Sequence, residues 1–231
     1  MNEARVAIVT GVASGIGAAV ASSLTKSGVA VAGFDLAASE GVLSLEVDVA
    51  DAAKVTAAVA VVERELGPVD TVVNVAGYYE MLAIADITPE RWSRMLHVHL
   101  GGLTNVVRAT LPAMVASGDG RIVAITSELA IGGGDHDAHY AAAKGAVIGF
   151  VRSLAAEVAP SGVRVNAVAP GPCDTPLLAP DSPWRAPEYL ATLPAGRLTT
   201  PQEIALAVQF LVDEGSFFVG EVVSINSGAV I

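Results

Sequence analysis

The chain has 231 residues, long enough for one large domain or two small ones, and 52% of them are hydrophobic, which argues against disorder. Lys and Arg number 13 against 24 Asp and Glu, and the net charge of −11 disfavours nucleic acid or an anionic membrane as the main partner. The single cysteine, Cys173, excludes an intrachain disulfide and a four-cysteine zinc site and fits a reducing, cytoplasmic setting, while no apolar run reaches the roughly 18 residues of a membrane span.

Short Val- and Ile-rich runs alternate with longer Ala-rich segments. The first strand is expected at Arg5–Thr10, and it runs into Thr10-Gly11-Val12-Ala13-Ser14-Gly15-Ile16-Gly17. Glycines at this spacing let the chain turn sharply and approach a pyrophosphate. The helix that follows, at Ser14–Ser27, then aims its N-terminal N–H groups at the phosphates. A glycine cluster alone would also suit a tight turn with no ligand. The next expected strand, Val29–Asp35, ends in an acid eighteen residues beyond Gly17. A carboxylate there can accept hydrogen bonds from an adenosine ribose and would repel a 2′-phosphate, so NAD(H) is preferred to NADP(H).

Further strands are expected at Leu43–Asp48 and Val69–Asn74, with a helix at Asp51–Leu66 between them. Tyr78, Tyr79 and Glu80 then lie beyond a strand's carboxyl end, where ligands of α/β sheets bind. Thr88-Pro89 starts a long helix expected over Thr88–Ala116, since a cap residue precedes a proline at the first helical position. A strand at Arg121–Ser127 ends in a hydroxyl. The helix at Asp137–Ala159 carries Tyr140-Ala141-Ala142-Ala143-Lys144, a phenol and an ammonium on one face, one turn apart. A nearby cation favours phenolate, which suits Tyr140 to acid–base work, and Ser127 can hold a substrate oxygen. The chain has only three lysines and four tyrosines, which counts against an incidental pairing.

A strand at Val163–Ala169 leads into a Pro-rich stretch, read as a substrate loop at about 172–200, then a helix at Pro201–Asp213 and a last strand at Val219–Asn226. Continuous apolar strands point to a parallel sheet buried on both faces, and the β-α alternation to one doubly wound α/β domain spanning 1–231. His136, Asp137 and His139 lack an adequate ligand set for a metal, so none is expected. Cys173 has no adjacent cation to activate it and reads as a pocket-lining or packing residue. Trp184 and Tyr189 suit either a closing lid or loop packing.

Taken together, these pieces resemble the short-chain dehydrogenases/reductases over essentially the whole chain. The matching segments are Thr10–Gly17, Asp48-Val49, Asn74-Val75-Ala76-Gly77, Ser127, Tyr140-x-x-x-Lys144, and Pro170-Gly171 with Thr175. The resemblance implies a seven-stranded parallel sheet with helices on both faces. It implies Tyr140 as catalytic acid/base, Ser127 as the substrate-oxygen partner, and Lys144 bonding the nicotinamide ribose while lowering the Tyr140 pKa. Asp48 and Val49 would flank the adenine; Asn74, Ala76 and Gly77 would line the cofactor; Pro170, Gly171 and Thr175 would meet its nicotinamide end. Gly11, Ser14, Gly15, Ile16, Gly17 and Asp35 complete the expected cofactor set.

One position departs from the family. Where an asparagine is usual, Val98-His99-Leu100 stands, and His99 is read as taking over a relay between the lysine and solvent, the alternative being an altered relay and a slower enzyme. Small residues at Gly101, Gly102, Ala146 and Gly149 suit either helix–sheet packing or the four-helix contact of a homodimer or homotetramer. The expected activity is hydride transfer between NAD(H) and a small-molecule secondary alcohol or ketone. An NADP(H)-dependent 3-oxoacyl-type ketoreductase and a catalytically weak dinucleotide-binding regulator are the alternatives. Arg185 in the loop raises the prospect of an anionic substrate; an apolar, cyclic alcohol is equally compatible.

Overall fold

The computed structural model describes residues 5–230, so residues 1–4 and 231 of the expected domain lie outside it. The elements run β1 (Val6–Thr10), α1 (Gly15–Lys26), β2 (Ala30–Asp35), β3 (Leu43–Glu46), α2 (Ala52–Leu66), β4 (Thr71–Asn74), α3 (Pro89–Leu96), α4 (Gly102–Ser117), β5 (Gly120–Ile125), α5 (Leu129–Gly132), α6 (Ala138–Val158), β6 (Val163–Pro170), α7 (Pro187–Leu190), α8 (Pro201–Asp213) and β7 (Val222–Ile225). Seven strands form one sheet in the order β3-β2-β1-β4-β5-β6-β7, with every pairing parallel.

The continuous apolar strands have a simple cause. Successive side chains point to opposite faces, and both faces are covered. In β1, Val6 and Ile8 enter the layer packed by Val55 and Val59 of α2, Leu103 and Val106 of α4, and Val147 and Val151 of α6. Ala7 and Val9 face the other way, onto Val20 and Leu24 of α1 and Ile204 and Val208 of α8. Each fully buried Val, Leu or Ile contributes about 1.5–3 kcal/mol relative to exposure, so these two layers dominate the stability of the domain.

Helix starts follow the local signals. Asp51 accepts from the Ala53 and Lys54 N–H groups at the start of α2. Thr88 and Thr200 cap helices that begin with proline, and Thr200 forms a reciprocal box with Glu203. The last strand is shorter than expected, because Gly220 turns at φ +74° before it can begin.

The expected long helix Thr88–Ala116 is not continuous. Between α3 and α4 lies a π-helical segment, His97–Gly101, in which the Gly102 N–H reaches back five residues to the His97 carbonyl. Close packing accompanies the widening. A Cβ on Gly102 would come within 2.7 Å of the Val49 side chain, so the backbone lies against the β3–α2 connection. The extra residue in the turn carries His99 inward, where it is buried.

Strand order reverses between β1 and β4, and at such a point the connections leave the sheet in opposite directions. The crevice beyond the carboxyl ends of β1, β4, β5 and β6 is the site described next. Among the described residues no helix is long and apolar enough to cross a membrane.

Candidate active site

A cleft of about 320 Å³ opens at this switch point. Gly11, Ser14, Gly15, Ile16 and Gly17 form one end, with Asp35 beside them. The glycines are sterically required. A Cβ on Gly17 would lie 1.9 Å from the Gly11 carbonyl oxygen, and one on Gly11 would lie 2.9 Å from the Ala76 backbone. Gly15 takes φ +53° and packs under Thr175. The Asp35 carboxylate accepts from the Ala13 N–H at 2.9 Å and the Ala37 N–H at 3.2 Å, which fixes its orientation at the rim.

Ala76, Gly77, Pro170, Gly171 and Thr175 also line the cleft, whereas Asp48, Val49 and Asn74 do not. Val49 is buried against Gly102, and its carbonyl accepts from the Asn105 side chain. Asp48 is exposed and turns back onto the Ala50 N–H. Asn74 sits behind the wall and accepts from the Thr10 hydroxyl, which in turn accepts from the Val75 and Ala76 N–H groups. This latch joins the ends of β1 and β4 and shapes the cradle without entering it.

The other end of the cleft is made of side chains. Ser127 follows β5, and Tyr140 and Lys144 project from α6. The Lys144 Nζ donates to the Ile125 carbonyl at 2.8 Å and lies 5.8 Å from the Tyr140 ring centre. Burial lowers the Lys144 pKa to about 7. The lowering of Tyr140 expected from the i, i+4 spacing is outweighed. Burial disfavours phenolate, the Glu128 carboxylate disfavours it further, and the opposing hydrogen bond with Ser127 is insufficient, so the pKa is raised.

His99 stands edge-on to Tyr140, with ring centres 5.5 Å apart. Its Nε2 lies 2.9 Å from the Tyr78 carbonyl and 3.3 Å from the Tyr78 N–H. The shorter contact puts the proton on Nε2, donating to the carbonyl, and leaves Nδ1 as a buried acceptor with no partner among the described residues. Burial and the Lys144 charge drive its pKa down to about 2. The ring therefore stays neutral, which removes an imidazolium from any relay.

Three side chains brace the substrate side. The Tyr79 hydroxyl donates to Asp137 at 2.8 Å, accepts from the Trp184 indole at 3.3 Å, and its ring stacks edge-on against Tyr140. Trp184 lines the cleft, and Tyr189 packs edge-on behind it. Asp137 thus has a hydroxyl partner, and His139 is buried with its Nε2 3.6 Å from Glu80. Cys173 lines the cleft, and burial pushes its thiol up to about 12. Arg185 is unavailable to a substrate anion. It is held by Asp174 at 2.7 Å and by the Leu178 and Thr175 carbonyls, which brace the loop from within.

The residue that the sequence reasoning missed is Glu128. It is buried, lines the cleft, and accepts a hydrogen bond from Ser127. Its signal was available: an acid directly after a strand-end serine must lie at the same carboxyl edge.

A family model described as "Enoyl-(Acyl carrier protein) reductase" matches residues 11–230. The chain is 36% identical over 238 residues to the 3-oxoacyl-[acyl-carrier-protein] reductase of Escherichia coli (strain K12), covering 98% of this chain and 97% of that one. It is 38% identical to the cis-4-hydroxycyclohexanecarboxylate dehydrogenase of Sinomonas cyclohexanicum, covering 97% and 96%. Among solved structures, the aldohexose dehydrogenase of Thermoplasma acidophilum superposes with a TM-score of 0.92 at 31% identity, over 98% of this chain and 94% of that one. The 3-ketoacyl-(acyl-carrier-protein) reductase of Brucella melitensis, solved with NADH, superposes at 0.91 with 28% identity, over 99% of each chain.

Proposed function

The chain belongs to the short-chain dehydrogenase/reductase family, and on that premise we propose that it transfers a hydride between NAD(H) and a small secondary alcohol or ketone. The observation that carries the reading is the convergence of Ser127, Tyr140 and Lys144 at one end of a cleft whose other end is a glycine cradle with Asp35. When bound, the dinucleotide supplies the carbon that accepts or donates the hydride.

The protein's own groups do the rest. The N-terminus of α1 presents backbone N–H groups and a positive dipole end to the phosphates. Asp35 accepts hydrogen bonds from the adenosine ribose. Lys144 is the only lysine or arginine lining the cleft among the described residues, so a 2′-phosphate would meet Asp35 with no compensating cation. That contrast supports NAD(H) over NADP(H). Ser127 holds the substrate oxygen, and Tyr140 exchanges its proton. As a phenol with a raised pKa, Tyr140 stands ready as the proton donor for ketone reduction. Lys144 bonds the nicotinamide ribose and stabilises the phenolate left behind. His99 acts as a neutral positioning residue through Nδ1 rather than as a proton carrier.

In this reading residues 1–231 act as one cofactor-binding and catalytic domain in the cytoplasm, and the loop at about 172–200 closes on the substrate. The chain works as a homodimer or homotetramer. Its contact is the outer face of α6, where added Cβ atoms at Gly145 and Gly149 would meet open space. A second reading, reduction of 3-oxoacyl thioesters, is favoured by the likeness to the Escherichia coli enzyme.

Initial rates on a panel of secondary alcohols with NAD⁺ and NADP⁺ test the proposal. A higher kcat/KM with NAD⁺ is expected, and Asp35→Ser should shift the preference towards NADP⁺. Preference for NADP⁺ in the wild type overturns the cofactor assignment. Absence of NADH or NADPH formation with every alcohol, together with no oxidation of either cofactor by ketones, overturns the reaction class.

A further inference from the structure

Glu128 is a carboxyl group in an expensive position. It is 5% exposed, and no lysine or arginine pairs with it among the described residues. Lys144, the only such cation lining the cleft, donates to the Ile125 carbonyl instead. A buried charge without a counter-ion destabilises the fold unless it titrates or is hydrogen-bonded, and burial does raise the Glu128 pKa to about 7. The backbone of Glu128 is held in place, its N–H donating to the Pro170 carbonyl at 2.9 Å.

The two carboxylate oxygens differ. Oε2 accepts from the Ser127 hydroxyl at 3.3 Å. Oε1 has no hydrogen-bond partner among the described residues, is not one of the enclosed atoms, and belongs to a side chain that lines the cleft. Ser127 has a single proton to give. While that proton is directed at Glu128, it is not directed at a reacting oxygen. A substrate carrying a second hydroxyl can donate to Glu128 in place of Ser127, which frees the Ser127 proton for the reacting oxygen. Because Ser127 and Glu128 already touch at 3.3 Å, the two substrate oxygens must be close neighbours, a spacing that gauche hydroxyls on adjacent carbons provide.

The geometry points to Glu128 as a specificity-determining residue that accepts a hydrogen bond from a hydroxyl on the carbon next to the reacting one, selecting vicinal diols and α-hydroxyketones. This rests on the proposed role of Ser127 as the substrate-oxygen partner. The same carboxyl works against anionic substrates. Asp137 lies behind the cleft-lining Tyr79, and Arg185 is turned away onto Asp174.

The experiment compares cis-cyclohexane-1,2-diol with cyclohexanol, using NAD⁺, in the wild type, Glu128→Leu and Glu128→Gln. In the wild type kcat/KM should be at least about tenfold higher for the diol, since a site built around a substrate hydroxyl rejects the analogue lacking it. Glu128→Leu should bring the ratio close to one, by losing rate on the diol and gaining it on cyclohexanol, for which Ser127 no longer has a competing acceptor. Glu128→Gln, which keeps an acceptor oxygen without the charge, should retain part of it. A wild-type ratio near one, or a ratio that survives Glu128→Leu, overturns the proposal. Calorimetric binding of both alcohols to the protein with NADH separates the two layers of inference. Oxidation of neither alcohol, with the diol still binding about tenfold tighter to wild type than to Glu128→Leu, upholds the hydroxyl subsite and counts against hydride transfer from these two alcohols. Oxidation of cyclohexanol with no gain for the diol does the reverse.

Discussion

The two ends of the cleft are built from different materials. The nucleotide end is backbone: glycines that leave no room for a Cβ, the first turn of α1, and a single acid held by two N–H groups. The catalytic end is side chain: Ser127, Glu128, Tyr140, Lys144, Tyr79 and His99, drawn from four separate segments and mostly buried. The first end is set by backbone sterics, centred on eight consecutive residues that meet Ala76 and Thr175, with Asp35 beside them. The second is set by desolvation and mutual charge, which no local stretch contains. Perturbing the nucleotide end should change binding, and perturbing the catalytic end should change proton handling.

The sharpest way to break this division is Tyr140→Phe. Turnover should fall on the order of 10³-fold, while NADH affinity, read by fluorescence titration, stays within a few-fold of wild type. A variant that keeps full activity removes Tyr140 from the chemistry.

Gly17→Ala attacks the opposite end. Its Cβ would press on the Gly11 carbonyl, so the turn must open, and NADH affinity should weaken roughly a hundredfold. Stopped-flow measurement at saturating cofactor should recover most of the chemical rate. If chemistry collapses while affinity holds, the two ends are not separable in this way.

His99 lies where the halves meet. His99→Leu strands the Tyr78 carbonyl and removes Nδ1, so kcat should drop about tenfold. His99→Asn keeps a donor for Tyr78 and should restore most of the rate and the wild-type pH profile. Equal kcat values and pH profiles in all three proteins would exclude His99 from the mechanism.

The smallest effect concerns stability. The folded pKa of Glu128 is raised from 4.5 to about 7, so between those values the folded state binds more protons than the unfolded one. Its contribution is therefore fully present below pH 4.5 and is lost as the pH rises to about 7. Glu128→Gln lacks this loss. Relative to wild type it should gain stability across that window, by up to roughly 3 kcal/mol at neutral pH. Urea denaturation at pH 4.5, 6 and 7.5 reads the difference, and a constant offset across the three would show that Glu128 is not desolvated.

Much of the fold could be read from the residues. The Val-rich runs became strands within a few residues of their expected ends, because a strand buried on both faces must be apolar throughout. Thr10–Gly17 was legible because glycine is needed wherever backbone meets backbone. The break in the long helix was not. Nothing in a run such as Leu96-His97-Val98-His99-Leu100 announces a π turn, which arises where Gly102 packs against Val49 from a distant connection. Arg185 looked available for a substrate anion until the loop folded it onto Asp174. Asn74 and Val49, expected beside the cofactor, do not line the cleft: Asn74 accepts from the Thr10 hydroxyl, and Val49 packs against Gly102.

By itself the sequence determined the parallel seven-stranded sheet, the glycine cradle with Asp35, and the pairing of Tyr140 with Lys144, because each depends on periodicity, on neighbours within a turn, or on the fixed spacing of one strand–helix–strand unit. Only the tertiary structure decided the protonation of the site. The raised phenol of Tyr140, the neutral ring of His99 and the buried carboxyl of Glu128 all follow from desolvation. Desolvation depends on which distant segments exclude water, and that is known only once the chain has closed around them.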